Sequence, residues 1–273
     1  MHLVATDLDG TVIGADWTIS ARTMAALHAC EDAGIRVLVV TGRPARWLPP
    51  ELAHLQTPAV CANGAAIFDR ASGRYLRTWG VDRTALADVV HRLKEAVPGA
   101  GVALETTGGF RREPTYRAAW AGDEGVLPLE DLLTVPGDVM KILLRGPVGG
   151  LLADDLLAVV GPMLHGELEV THSNPDDRLL EIGPAGVSKA STAELLCAEW
   201  GIEASEVIAF GDQPNDIPLL RWAGTGYAMA DGHPTALASA DAVAPPVTED
   251  GVAQVLEARL AGSAGGRAVT GRQ

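Results

Sequence analysis

The sequence predicts an α/β fold: a doubly wound parallel sheet interrupted by an inserted α+β domain. Three observations predict it. Near-continuous apolar runs of strand length lie at residues 3–5, 35–40 and 207–210, and such runs suit parallel strands covered on both faces. Capped helical segments alternate with these runs in the first and last thirds of the chain. In the middle, from about Asp82, hairpin-like pieces mix with helices, and Gly-Pro joints such as Pro98-Gly99, Pro136-Gly137 and Gly183-Pro184 punctuate them.

Each element follows from local signals. The run at 3–5 stops at Asp7 and Asp9 and then a Gly10-Thr11 turn. Side chains alternate along a strand, so an extended backbone puts both carboxylates on one side. Two such charges are costly unless a cation lies between them or one carboxylate is protonated. A divalent cation with oxygen ligands would supply that charge, although the same residues alone would also suit a solvated acidic turn. Ser20 caps a helix with Met24, Leu27 and Cys30 on one face and Gly34 past its end. The second strand, 35–40, ends at Thr41-Gly42-Arg43. Pro49-Pro50 interrupts the helix that follows. A third strand, 58–62, ends at Asn63-Gly64, and residues 65–68 and 74–79 flank a hairpin turn.

In the insert, Asp82 is expected to cap a helix through Leu93. Strands at 101–105 and 139–145, a helix at 151–164, and strands at 168–173 and 179–182 complete it. Ser188 then caps a helix through Trp200, with Gly201 past its end. The strand at 207–210 ends at Gly211-Asp212, a short helix covers 216–222, and strands at 227–229 and 242–243 precede a closing helix at 251–260. The expected division is a Rossmann-like core over 1–81 and 187–262, the insert over 82–186, and a disordered tail over 263–273.

Composition narrows the function. The net charge of −14 argues against a nucleic-acid or anionic-membrane partner, since both need basic patches. The three cysteines, Cys30, Cys61 and Cys197, are scattered and odd in number, which suits buried thiols in a reducing compartment. The seven histidines form no i, i+4 ligand pair. The short apolar start lacks a basic region, so we expect no signal peptide, no membrane span and a cytoplasmic protein.

The polar clusters share one location. Asp7 and Asp9, Thr41-Gly42-Arg43, Asn63-Gly64 and the segment from Gly211 to Asp216 each follow a core strand. In open parallel sheets, ligands bind beyond those carboxyl ends. Lys189, in the first turn of a helix, adds an anion-binding group.

Asp7-Leu8-Asp9-Gly10-Thr11, Thr41-Gly42-Arg43, Ser188-Lys189 and Gly211-Asp212-x-x-Asn215-Asp216 resemble, in order and spacing, the four motifs of the haloacid dehalogenase superfamily. The insertion between the second and third motifs, Asn63-Gly64-Ala65 and Glu249-Asp250-Gly251-Val252-Ala253 resemble its Cof-type phosphatases, whose insert is an α/β cap. The resemblance covers about residues 1–262. Ala190 stands where the family usually has Gly after the lysine, Gln213-Pro214 fills a gap often written Gly-x, and Ala230-Asp231 stands where Asn-Ala is common. None of these removes a functional group.

The resemblance implies a phosphomonoester hydrolase acting on a small phosphorylated metabolite. Asp7 would be the nucleophile, forming an aspartyl-phosphate, and Asp9 the acid and base. Mg²⁺ would be held by Asp7, the Asp9 backbone carbonyl and Asp212, with Asp216 helping. Thr41, Gly42, Lys189 and Asn215 would bind the phosphate. Candidate substrate contacts are Arg43, Asn63, Gly64 and, in the cap, Arg112 and Trp120, which belong to a cationic-aromatic cluster with Arg111, Tyr116 and Arg117. That cluster could hold a sugar or a second anionic group, or be a solvated loop face. Trp47 is expected in packing. A phosphomutase or other phosphotransferase on the same core is the nearest alternative, and a non-catalytic phosphate-binding regulatory module a more distant one.

Overall fold

The apolar run at the start of the chain forms β1 (Leu3–Thr6), buried at every residue. The computed structural model describes residues 1–117 and 125–267. Ser20 caps α1 (Ala21–Asp32) by accepting the Thr23 N–H, and Leu27 and Cys30 face inward. β2 (Arg36–Val39) pairs parallel with β1. Beyond it, in place of an interrupted helix, the prolines leave two short 3₁₀ turns at 45–47 and 50–54. β3 (Ala59–Cys61), β4 (Ala66–Asp69) and β5 (Arg74–Thr78) make a small antiparallel sheet, joined to the end of β2 by a parallel bridge between Val40 and Val60.

The insert begins with α2 (Leu86–Ala96), and here the expected cap is corrected. Asp82 accepts the Thr84 N–H at 2.8 Å and its hydroxyl at 2.9 Å, closing a local turn, so the helix starts later, behind Ala85. β6 (Gly101–Thr106) folds back into β7 (Gly109–Arg112), a strand not expected from the sequence. α3 (Leu129–Leu132), β8 (Val139–Arg145), α4 (Ala153–Leu164), β9 (Leu168–Thr171) and β10 (Leu179–Pro184) follow. The strands form one sheet in the order β7-β6-β8-β10-β9, and every pairing is antiparallel. Val90, Leu93, Leu156 and Val160 of α2 and α4 cover one face, against Val102, Leu104, Ile142, Leu144, Leu180 and Ile182. Strand alternation turns the other set, Glu105, Lys141, Leu143, Arg145, Leu179 and Glu181, toward a cavity shared with the core.

The chain then returns to the core through α5 (Lys189–Trp200), β11 (Val207–Gly211), α6 (Ile217–Trp222), β12 (Thr225–Met229), α7 (Pro234–Leu237), β13 (Ala242–Ala244) and α8 (Gly251–Arg267). α8 thus continues past Leu260 into the stretch expected to be a tail; residues 268–273 lie outside the described residues. The core sheet runs β13-β12-β11-β1-β2 with all pairs parallel. Leu27 and Cys30 of α1 and Val252 and Leu256 of α8 pack on one face; Ala193 and Leu196 of α5 and Leu219 and Leu220 of α6 pack on the other. Each fully buried aliphatic side chain of this kind contributes about 1.5–3 kcal/mol. From β1 the chain steps one way to β2, and from β11 the other way to β12 and β13, so the switch point falls between β1 and β11. No described helix is long and apolar enough to cross a membrane.

Candidate active site

The sheet topology gathers three buried carboxylates. Asp7 follows β1, tied in place by its N–H to Phe210 of β11 at 3.1 Å. Asp212 and Asp216 follow β11. Oxygens of all three lie within 4.8 Å of one another. Lys189 sits at the first position of α5, where Ser188 and Ser191 form a reciprocal cap that fixes the start of the helix. Its Nζ donates to Asp7 Oδ1 and to Asp216 Oδ1, each at 2.6 Å, and the side chain is fully buried.

One lysine against three carboxylates leaves excess negative charge in the interior. Burial pushes the Asp7 carboxyl well above its ordinary range; Lys189 opposes this, while Asp216, Asp212 and Asp9 add to it. Asp212 is raised to about 7, by burial first and then by Asp216. Burial alone would lower the Lys189 ammonium, but Asp216 and Asp7 outweigh it and hold the group above its usual value. Hard oxygen donors carrying excess charge at this spacing fit a divalent cation such as Mg²⁺.

Each carboxylate is held in a fixed orientation. Asp212 accepts the Thr11 hydroxyl at 2.9 Å on one oxygen and Gln213 Nε2 at 2.8 Å on the other. Asp216 Oδ2 accepts the N–H groups of Asp212 and Gln213 at 2.9 and 3.0 Å. Gly10 has φ +78°, and a Cβ there would lie 2.3 Å from Asp212 Oδ2, so the first and fourth motifs touch only because that residue is glycine.

The remaining candidates fall into two groups. Thr41 is fully buried at the end of β2; its hydroxyl oxygen accepts the Arg43 N–H at 3.1 Å. Asn215 lines the same cavity as Asp7 and donates to Asn63 Oδ1 at 3.1 Å. Asp9 keeps a half-exposed carboxylate, and Arg43 grips both its oxygens at 2.8 and 2.5 Å. Arg43 thus positions Asp9, a role the sequence reading did not give it. Gly64 supports the α5 start, its carbonyl accepting the Thr192 hydroxyl at 2.8 Å. Arg112 is outside the cavity lining; its Nη1 donates to the Tyr116 carbonyl at 2.9 Å. Trp120 lies outside the described residues.

The cavity, of about 320 Å³, runs from Asp7 and Asp9 up to the cap sheet. Its roof holds residues the sequence reading missed. Lys141 Nζ donates to the Gly42 carbonyl at 2.6 Å and to Glu181 Oε1 at 2.8 Å. Glu181 Oε2 accepts Asn63 Nδ2 at 2.8 Å. A buried chain therefore runs from cap to core: Lys141, Glu181, Asn63, Asn215. Arg46 of the core likewise makes a two-pronged pair with Glu105 of the cap. The only sequence signal for these was the charged-apolar-charged spacing of Lys141, Leu143 and Arg145 on one strand face.

This arrangement has counterparts. A profile of the haloacid dehalogenase-like hydrolases matches residues 4–111 and 160–256. The chain belongs to the haloacid dehalogenase-like hydrolases. Among similar sequences, the 5-amino-6-(5-phospho-D-ribitylamino)uracil phosphatase YitU of Bacillus subtilis is 27% identical, over 94% of this chain and 96% of its own. The pyridoxal phosphate phosphatase YbhA of Escherichia coli is also 27% identical, over 95% of this chain and 98% of its own. The fold is shared with BT1666 of Bacteroides thetaiotaomicron, which has a TM-score of 0.78 at 24% identity and covers 94% of both chains. SMU.1108c of Streptococcus mutans superposes with a TM-score of 0.80 at 22% identity, over 95% of this chain and 99% of its own. The expected superfamily, with the α/β-capped architecture of its Cof-type phosphatases, is thereby borne out.

Proposed function

We propose that this hydrolase is a Mg²⁺-dependent phosphatase that cleaves phosphate monoesters of small metabolites through an aspartyl-phosphate on Asp7. The observation that carries the reading is Asp7 on the floor of a capped cavity, its carboxylate 2.6 Å from a buried ammonium and clustered with Asp212 and Asp216. The names of the relatives support the chemistry, since YitU and YbhA are both named as phosphatases of small phosphorylated compounds.

Asp7, Asp212 and Asp216 would hold Mg²⁺ together with the Asp9 backbone carbonyl; bound there, it offsets the repulsion between an anionic nucleophile and an anionic phosphate. The Lys189 ammonium neutralises charge on Asp7 and on the transferring oxygens, while Thr41 and Asn215 orient those oxygens. Asp7 attacks phosphorus, and the ester oxygen leaves with a proton from Asp9. Water, deprotonated by Asp9, then attacks the phosphoryl group, releasing phosphate and restoring the Asp7 carboxylate. Arg43 holds both Asp9 oxygens in the resting site, so its grip loosens when the leaving oxygen arrives.

The test is phosphate release from a panel of phosphate monoesters, with and without Mg²⁺. Isomerised product without free phosphate would favour a mutase and overturn the hydrolase assignment. Binding of phosphate esters without turnover would favour a regulatory module.

A further inference from the structure

The histidines form no ligand pair along the sequence, but the fold brings two of them together where the cap meets the core. His172 follows β9 in the cap, Asp154 lies in the first turn of α4, and His233 precedes α7 in the core. His172 Nε2 is 2.8 Å from Asp154 Oδ1, and His233 Nε2 is 3.2 Å from Asp154 Oδ2. The imidazoles meet edge to face with ring centres 5.8 Å apart, and both Nε2 atoms converge on the one carboxylate. Among the described residues, donor atoms of three such side chains lie within 4.8 Å of one another here and at Asp7, Asp212 and Asp216.

The donor set differs from that of the catalytic floor. Three carboxylates suit a hard cation, whereas two imidazoles and one carboxylate suit a first-row transition ion such as Zn²⁺ over Mg²⁺. Metal–ligand bonds of about 2.0–2.2 Å at tetrahedral angles put neighbouring Zn²⁺ ligands about 3.3 Å apart, close to the spacing of these donors. The imidazoles are held in place. His172 is completely buried, and the His233 ring, also buried, has its Nδ1 2.7 Å from the Thr235 hydroxyl. That hydroxyl can accept the Nδ1 proton when Nε2 binds a metal, which is the outer contact that orients metal-bound histidines. The Asp154 side chain is 54% exposed, so an ion has a way in and water has a place to complete its shell.

We propose that Asp154, His172 and His233 form a second metal site, taking a transition ion of the Zn²⁺ class, that clips the cap to the core. Two ligands belong to the cap and one to the core, so one ion ties the two together. The clip reaches the catalytic floor through the backbone of His233, whose N–H donates to the Asp212 carbonyl at 2.7 Å. Gly232 packs on the same carbonyl so closely that a Cβ would lie 2.8 Å from its oxygen. A bound ion therefore holds the cap against the loop that carries Asp212. The site does not depend on the phosphatase reading, and its occupancy is measured without turnover.

The experiment titrates Zn²⁺ calorimetrically into the metal-stripped, full-length protein in excess Mg²⁺, which competes for the carboxylates of the floor. The wild type should bind one more equivalent of Zn²⁺ than His233→Asn or Asp154→Asn. His233→Asn keeps a side-chain oxygen to cap α7 at the Thr235 N–H while removing the imidazole. Asp154→Asn changes an exposed side chain and stands in if the first variant does not fold. Affinity for that equivalent should fall about 100-fold or more in either, since even the outer partners of metal ligands are worth about 10- to 100-fold. Co²⁺ in place of Zn²⁺ should give the strong visible absorption of a four-coordinate site, lost in both variants. Zn²⁺ should also slow amide hydrogen exchange at residues 153–156, 171–173 and 231–235 in the wild type alone. Absence of Zn²⁺ binding, or equal stoichiometry and affinity in the wild type and a folded variant, overturns the site. Zn²⁺ bound there with exchange unchanged on both sides overturns the clip.

Discussion

Replacing Lys141 with methionine removes one charge from a buried pair whose other contacts all belong to the core. Lys141 and Glu181 are 3% and 8% exposed, and between them they reach Gly42 and Asn63. Breaking such a pair from one side costs about 3–5 kcal/mol, because the remaining charge stays buried. The protein can avoid that cost by lifting the cap so that water reaches Glu181. At about 1.4 kcal/mol per decade, the equilibrium constant for closure falls by about 10²- to 4 × 10³-fold, and kcat/KM falls by up to the same factor. The loss should be equal for a large ester and for acetyl phosphate, because the pair props the Thr41-Gly42 loop rather than the leaving group.

The pH dependence of stability gives the sign. Burial pushes Glu181 up, but Lys141 and Asn63 overcome it, so the folded carboxyl titrates below its ordinary 4.5. In the wild type the pair therefore stabilises the fold above that value, and the contribution is lost as pH falls through the lowered one. In Lys141→Met the burial effect is opposed only by Asn63 and the more distant Lys189, and the carboxyl moves up. The stability deficit of the variant should then shrink as pH falls and Glu181 takes a proton, and grow as pH rises and it ionises. Denaturant melts at several pH values, with kcat/KM for a large phosphate ester and for acetyl phosphate, test both statements. A deficit independent of pH, or a loss confined to the larger ester, would show that Lys141 does not act through Glu181 and the Gly42 loop.

Asp7→Asn should lower phosphate release by on the order of 10³-fold or more with the fold intact, checked by continuous phosphate assay and circular dichroism. Chelation with EDTA should silence the enzyme and added Mg²⁺ restore it; metal-independent rates would remove the cation from the mechanism. Gly10→Ala places a methyl 2.3 Å from Asp212 Oδ2 at φ +78°. It should cost about 1–3 kcal/mol of stability and a larger factor in activity at limiting Mg²⁺, read by thermal melts and a Mg²⁺ titration.

The two halves of the cavity were not equally legible in the sequence. The floor was readable because each of its groups is announced locally: an apolar run ends, and the next residues are Asp7, Thr41 or Asp212. Parallel pairing then brings those ends to one edge whatever the details of packing. Ser188 and Gly201 likewise bounded α5 and so located Lys189. Asp82 misled because its side chain closed a turn with Thr84 instead of capping the helix. The roof had no such announcement. Which face of the cap sheet meets the cavity depends on pairing between residues 40 positions apart, such as Lys141 and Glu181. A slip of one residue in β8 would turn Lys141, Leu143 and Arg145 toward α2 and α4 and present Ile142 and Leu144 to the substrate. The helices forbid that slip by covering Ile142 and Leu144, at 0% exposure each. The hydrophobic core of the cap thus decides which charges face the phosphate ester, and the register that buries one face is what makes the other a binding surface.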